Sequence, residues 1–470
     1  MPFSRARGLR VLLCTSVIVA TALLYLFMDT PLDLATAAPA KPASFLVTIN
    51  VDEAGYAKVT MNFTSSGTTE FSTYLPVFQN LTLREIGGHY SVERSEVAGY
   101  FYNKTYFKQS SDGVASLLIE YDFPYASIYS GDTAWFMSPM LGNDAADVQV
   151  VVELTNFAVF LGYYPTPSSV EGSRASFVMP SSSEGQRVAI DYRLARPATD
   201  VNFTRDVRNA LVVVRSASIY ESFVKQIFET FERSYDNLSY VFGTVAPRVE
   251  FQFYLPKELD IGALGYVRGE DVQIGKGPIN VNLALIRFKP GYLEQVVLHE
   301  YVHLALGEVG VEAKDDLRWF HEGVAEYISG EICKALGIDT DVDEHLVNYE
   351  NYVKTYGNDI SFVEDWEDEP LYYSLAYAVV RKLGDYLGGL AFYRSTFYEI
   401  KRRGGVSDLQ GIVDVMSAVA GRDLSGLFRG WGFKVQGVET EIVPLLVDAM
   451  PIIVTWMALM AISVVLARRL

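Results

Sequence analysis

His299 and His303 stand four positions apart in the run His299-Glu300-Tyr301-Val302-His303, and Glu322 follows after eighteen intervening residues. That spacing constrains the fold strongly. On a helix, side chains four apart leave one face together, so both imidazoles point toward a single centre. The Glu322 carboxylate is then the third group available to that centre. Two imidazole nitrogens and one carboxylate are a common ligand set of a catalytic zinc site, with a fourth position left for water. Glu300, next to the first histidine, is placed to take that water's proton as general base. Only five histidines occur in the chain, and His299, His303 and His321 all fall in this short stretch. The expectation is one Zn2+ per chain, held by His299, His303 and Glu322. His321 is adjacent to Glu322, points elsewhere on the helix, and is not counted as a ligand.

The remainder of the chain bears on where such a centre would work. With 470 residues and a formal charge of -18, it lacks the clustered Lys and Arg that a nucleic-acid binder needs to displace counterions. Arg5, Arg7 and Arg10 precede an uncharged run from Val11 to Phe27. This is the layout of a secretory signal peptide, and the length equally suits an uncleaved signal anchor. Ala449 to Ala467 is uncharged for nineteen residues and ends on Arg468-Arg469, close to the ~20 residues that cross a bilayer as a helix. Arginines at both extremities put both termini in the cytoplasm by the positive-inside tendency, with everything between them exported. The expected location is therefore the cell membrane, with the catalytic part extracellular. The chain would be attached through a helix at 445–467 and, if the signal stays uncleaved, through the N-terminal segment as well. Cys333 is the only cysteine beyond the leading segment, so no disulfide can form within the exported part. Asn-x-Ser/Thr sequons start at Asn62, Asn80, Asn103, Asn202 and Asn237, which points to a glycosylated surface.

From Ser44 to about Arg196 the texture is strand-like: Phe45–Val51 and Val148–Leu154 are β-branched runs, and turn signals such as Ser66-Gly67 and Asp112-Gly113 separate the segments. Leu211–Val214 then reads as a strand and about 218–241 as an amphipathic helix with Phe223, Ile227, Phe228 and Phe231 on one face. Val249–Tyr254 and Ile279–Leu283 read as further strands. Pro290-Gly291 opens the helix of His299 and His303, with Gly307 as its stop. Asp315 or Asp316 caps the next helix, which carries Glu322 and stops at Gly330. Asp339-Thr340-Asp341-Val342-Asp343 with Glu350 has the spacing of a calcium loop, but Glu344 occupies the position where the turn needs glycine. A polar helix start is the simpler reading, and the acidic stretch 364–369 reads as a solvated loop.

His299 to His303, the eighteen-residue gap and Trp319-Phe320-His321-Glu322-Gly323-Val324-Ala325-Glu326-Tyr327 resemble a gluzincin metallopeptidase. The gap is similar to that in the catalytic domain of the membrane alanyl aminopeptidase and leukotriene-hydrolase family. Tyr372-Tyr373-Ser374-Leu375-Ala376-Tyr377-Ala378 is similar to that family's tyrosine-bearing helix, and Gly421-Arg422-Asp423-Leu424 with Phe428 and Trp431 to a late helix, so the likeness spans about 210–432. It implies that Tyr373 donates to the oxyanion of the tetrahedral intermediate and that Glu326 accepts the second N–H of the first histidine ligand. It also implies a zincin (thermolysin-like) catalytic domain; with the strand-like texture before it and the apolar run near the C-terminus, the expectation is an α+β fold in which an N-terminal β-rich, sandwich-like domain precedes that domain and a terminal transmembrane helix follows it. The divisions are 1–43 for the signal and linker, 44–205, 206–437 and 445–467.

The family's Met-Glu-Asn element, which grips a free amino group, has no counterpart near Gly262-Ala263-Leu264-Gly265-Tyr266. The leading functional expectation is a membrane-anchored extracellular zinc metallopeptidase acting on peptides or proteins. An aminopeptidase proper and a catalytically silent envelope binding protein are the alternatives. An intramembrane protease is disfavoured, because Glu294, Glu308 and Glu312 flank the histidine helix.

Overall fold

The computed structural model of the protein describes residues 43–437, apart from 78, 99–100, 260 and 288–289. Strand β1 (Ser44–Val51) alternates as its sequence does, with Phe45, Val47, Ile49 and Val51 buried. It lies in a seven-stranded sheet between β2 (Ala57–Ser66), antiparallel to it, and β3 (Val148–Leu154), parallel to it. A four-stranded sheet carrying Phe136, Ile190 and Tyr192 and a three-stranded sheet carrying Phe71 and Phe107 close over the same core. The N-terminal region is thus β-rich.

A second core forms on a five-stranded mixed sheet. Its strands are β4 (Asp200–Val207), β5 (Ala210–Ala217), β6 (Arg248–Tyr254), β7 (Gly265–Tyr266) and β8 (Pro278–Asn282), in the order β4-β5-β6-β8-β7. The three inner strands are parallel, while β4 and β7 run antiparallel at the edges. Helix α1 (Glu221–Phe242) makes the crossover from β5 to β6, as parallel neighbours require. Its Phe231 meets Phe251 of β6 edge-on, with ring centroids 6.3 Å apart, and Tyr301 at 5.2 Å. After the short α2 (Gly269–Ile274) come α3 (Tyr292–Val309), α4 (Arg318–Ala335), α5 (Glu344–Tyr356) and α6 (Pro370–Leu387). Helix α4 packs between α3 and α6. A smaller cluster containing Trp135, Tyr220, Leu283 and Ile286 joins the two cores, and the Arg287 guanidinium there donates to the carbonyls of Tyr125 and Ala126.

The fold differs from the expectation in several respects. The architecture is mixed α/β with an N-terminal β-rich region, and the terminal transmembrane helix is not supported. Among the described residues no helix is long and apolar enough to cross a membrane; even α3, buried along most of its length, carries Glu294, Glu300 and Glu308. The segment 445–467 assigned to that helix, like the signal segment before residue 43, lies outside the described residues. Helix α3 runs past Gly307 to a left-handed cap at Gly310. Gly307 is instead a point of close approach, where an added Cβ would fall 1.6 Å from the Val272 carbonyl oxygen. Helix α4 likewise continues beyond Gly330, and Asp315 and Asp316 belong to a 3-10 turn ahead of it without capping it through their side chains.

Candidate metal centre

Helix α3 is buried nearly all round, by Leu293, Val297, Leu298, Tyr301, Val302 and Leu306 among others. Polar groups in such a helix are costly unless partnered. Yet His299, Glu300 and His303 are all buried on it, and Glu322 is buried on α4 where the two helices cross. The four-residue spacing brings the histidines together, with Nε2 of His303 3.1 Å from Nε2 of His299. Glu322 Oε2 lies 3.2 Å from the His299 nitrogen and 3.4 Å from that of His303.

Three acceptor-capable atoms thus form a nearly equilateral triangle. Ligands at about 2.0–2.1 Å around a tetrahedral ion stand about 3.3–3.4 Å from one another, so the triangle has the size of one face of such a tetrahedron. The electrostatics agree. Burial disfavours charge on His299, but the carboxylates of Glu326 and Glu322 outweigh it and hold the ring's pKa well above its usual value. Burial would raise Glu322, and the neighbouring His303 and His299 outweigh it, holding the carboxyl well below its usual range. The cluster therefore favours a positive charge at its centre. His299, His303 and Glu322 can hold a metal ion, and among the described residues they are the one group assembled to do so. The Asp339–Glu350 stretch forms no such group; its second half is the start of α5, as a polar helix start requires.

The other expected residues surround this triangle. Burial pushes the Glu300 carboxyl up, which strengthens it as a proton acceptor. Gly265 on the edge strand β7 runs directly over it, since a Cβ on that glycine would fall 2.7 Å from Glu300 Oε1. Glu326 Oε1 is 3.4 Å from Nδ1 of His299, on the ring edge away from the triangle. Tyr373, at the start of α6, has its phenol pushed up by burial first and then by the charges of Glu322 and Asp368, with Glu300 also contributing. Its hydroxyl donates to Asp368 Oδ1 at 3.5 Å. His321 turns away: it pairs with the Glu312 carbonyl at 3.2 Å, and burial followed by the nearby His303 lowers it to about 4.

Four further residues belong to the centre without having been singled out in the sequence. Gln295 donates to Glu326 Oε2 at 3.0 Å, one turn before His299 on α3. His345 on α5 places Nε2 3.7 Å from the same oxygen, while its Nδ1 lies 3.0 Å from Ser374 Oγ. Arg318 approaches Glu322 and is itself held by Asp368. Gln295 and Arg318 were within reach of sequence reasoning, because they stand four residues before His299 and Glu322 on the same helices. His345 and Asp368 carry no such signal, since only the packing of α5 and α6 brings them near. No protein-family model matches this chain, and no curated protein is significantly similar to it.

Proposed function

We propose that the protein is a zinc metallopeptidase of gluzincin type, hydrolysing peptide bonds at the His299, His303 and Glu322 centre. The observation that carries this reading is the triangle of Nε2, Nε2 and Oε2 atoms at 3.1–3.4 Å with the buried Glu300 next to it. Zinc is the ion of choice for two imidazoles and one carboxylate in near-tetrahedral geometry. When bound, it supplies Lewis-acid polarisation of the scissile carbonyl and eases the deprotonation of water.

The chain's own residues do the rest. Glu300 takes a proton from the attacking water and passes it to the departing amine, a role worth about 10²–10⁴-fold in rate. Tyr373 supplies a hydrogen bond to the developing oxyanion, its hydroxyl exchanging Asp368 for that oxygen, an interaction that contributes up to about 3 kcal/mol. Glu326 accepts from Nδ1 of His299, which fixes the tautomer and turns the Nε2 lone pair toward the centre. Gly265, lacking a side chain, leaves room above Glu300. The cationic residues Arg5, Arg7 and Arg10 ahead of an apolar run support action on extracellular peptides.

The missing Met-Glu-Asn element removes the usual anchor for a free amino terminus, so cleavage should not depend on one. The test is digestion of matched free and N-acetylated peptides by protein stripped with a chelator and then restored with zinc. Cleavage of both peptides, absent after stripping and recovered on zinc addition, is expected. Cleavage that survives stripping would overturn the metal reading, and strict dependence on a free amino terminus would overturn the specificity.

A further inference from the structure

Glu322 uses its two oxygens differently. Oε2 faces both histidines, whereas Oε1 faces Arg318, whose Nε lies 3.7 Å away. Arg318 is fixed from its other side: its terminal nitrogen donates to Asp368 Oδ1 at 2.7 Å, and its guanidinium stands 5.8 Å from the centroid of the Trp366 ring. The same Asp368 oxygen accepts the Trp366 indole N–H at 2.8 Å. The position of Arg318 is unfavourable in itself. It is the first residue of α4, whose first turn holds no acidic side chain, and the positive end of a helix dipole repels a cation. Two carboxylates, one on each side, offset that cost.

We propose that Arg318 is a positioning residue for the metal centre. By engaging Oε1 it confines Glu322 to binding through Oε2 alone, and Asp368 in turn holds Arg318 in place. A free carboxylate can offer one or both oxygens to an ion. Pairing one of them with a guanidinium settles the choice and leaves the coordination position of the second oxygen to water or substrate. This inference rests on the metal-centre reading above.

The test uses the full chain with Arg318→Met, Arg318→Lys and Asp368→Asn. Two readouts are followed: zinc affinity by competition with a chromophoric chelator, and the visible absorption of the cobalt(II)-loaded protein, which reports coordination number. Arg318→Met should weaken zinc binding about 10–100-fold and shift the cobalt spectrum toward the weaker bands of higher coordination. Arg318→Lys should restore part of both readouts, because an ammonium can still engage Oε1 although the planar fork is lost. Asp368→Asn, at a mostly exposed position, should move both readouts in the same direction by less. Wild-type affinity and an unchanged cobalt spectrum in Arg318→Met would overturn the proposal. Should that variant fail to fold, unchanged readouts in both Arg318→Lys and Asp368→Asn would overturn it equally. Failure of the wild-type chain itself to bind metal would instead overturn the reading of the centre, and this inference with it.

Discussion

Glu300 lies beneath the sheet's edge strand, and the fit there is tight enough to test. A Cβ added to Gly265 would stand 2.7 Å from Glu300 Oε1, 2.8 Å from its Cγ and 2.9 Å from a Val296 methyl. Gly265→Ala should therefore displace the Glu300 carboxylate without touching a metal ligand. The expected outcome is unchanged zinc content with turnover reduced by about 10²-fold, the scale of a misplacement near 1 Å. Wild-type turnover in that variant would show that Glu300 and the edge strand are not in contact during the reaction. The sequence reveals His299, Glu300 and His303 through helical periodicity, and Glu322 through its distance from them. It does not reveal Gly265 as a neighbour of Glu300, because that contact depends on β7 pairing with β8 at the edge of the sheet. His345 is hidden for a similar reason, as it reaches Glu326 only through the packing of α5.

Among the helices, the crossing of α4 with α6 keeps Glu322 and the start of α6 in one frame. Gly323, next to Glu322, is a point of close approach: a Cβ there would lie 2.6 Å from the Ala376 carbonyl oxygen and 2.9 Å from a Val380 methyl. Gly323→Ala should cost about 1–3 kcal/mol through overpacking, since backbone has to give way. Chemical denaturation should show this as a lowered midpoint with an unchanged slope. An unaltered midpoint would mean that the helices separate more easily than their packing indicates. Helix ends illustrate what sequence leaves ambiguous. Glycine serves both as a left-handed cap and as a site of close approach, and nothing local tells the two uses apart. Gly310 is the cap of α3, whereas Gly307 and Gly330 admit Val272 and Val342 against their helices.

On the scale of the whole molecule, two hydrophobic cores are joined by a smaller cluster, and the centre lies on helices that pack into the second. The strand alternation of Phe45–Val51 and the amphipathic spacing of Phe223 to Phe231 are visible in sequence because burial imposes their periods directly. Sheet order is not visible: β1 pairs in parallel with β3 from far along the chain, and β6 and β8 lie side by side while β7 is displaced to the edge. Long-range pairing of this kind is settled by packing rather than by any local signal. In the proposed function Glu300 is the proton acceptor beside a loaded metal centre, and one measurement tests that role most directly. Glu300→Gln should bind one zinc per chain, retain the wild-type fold, and hydrolyse a peptide library at least about 10²-fold more slowly than wild type, because an amide cannot accept the proton. Wild-type turnover by this variant at full zinc occupancy would contradict the account.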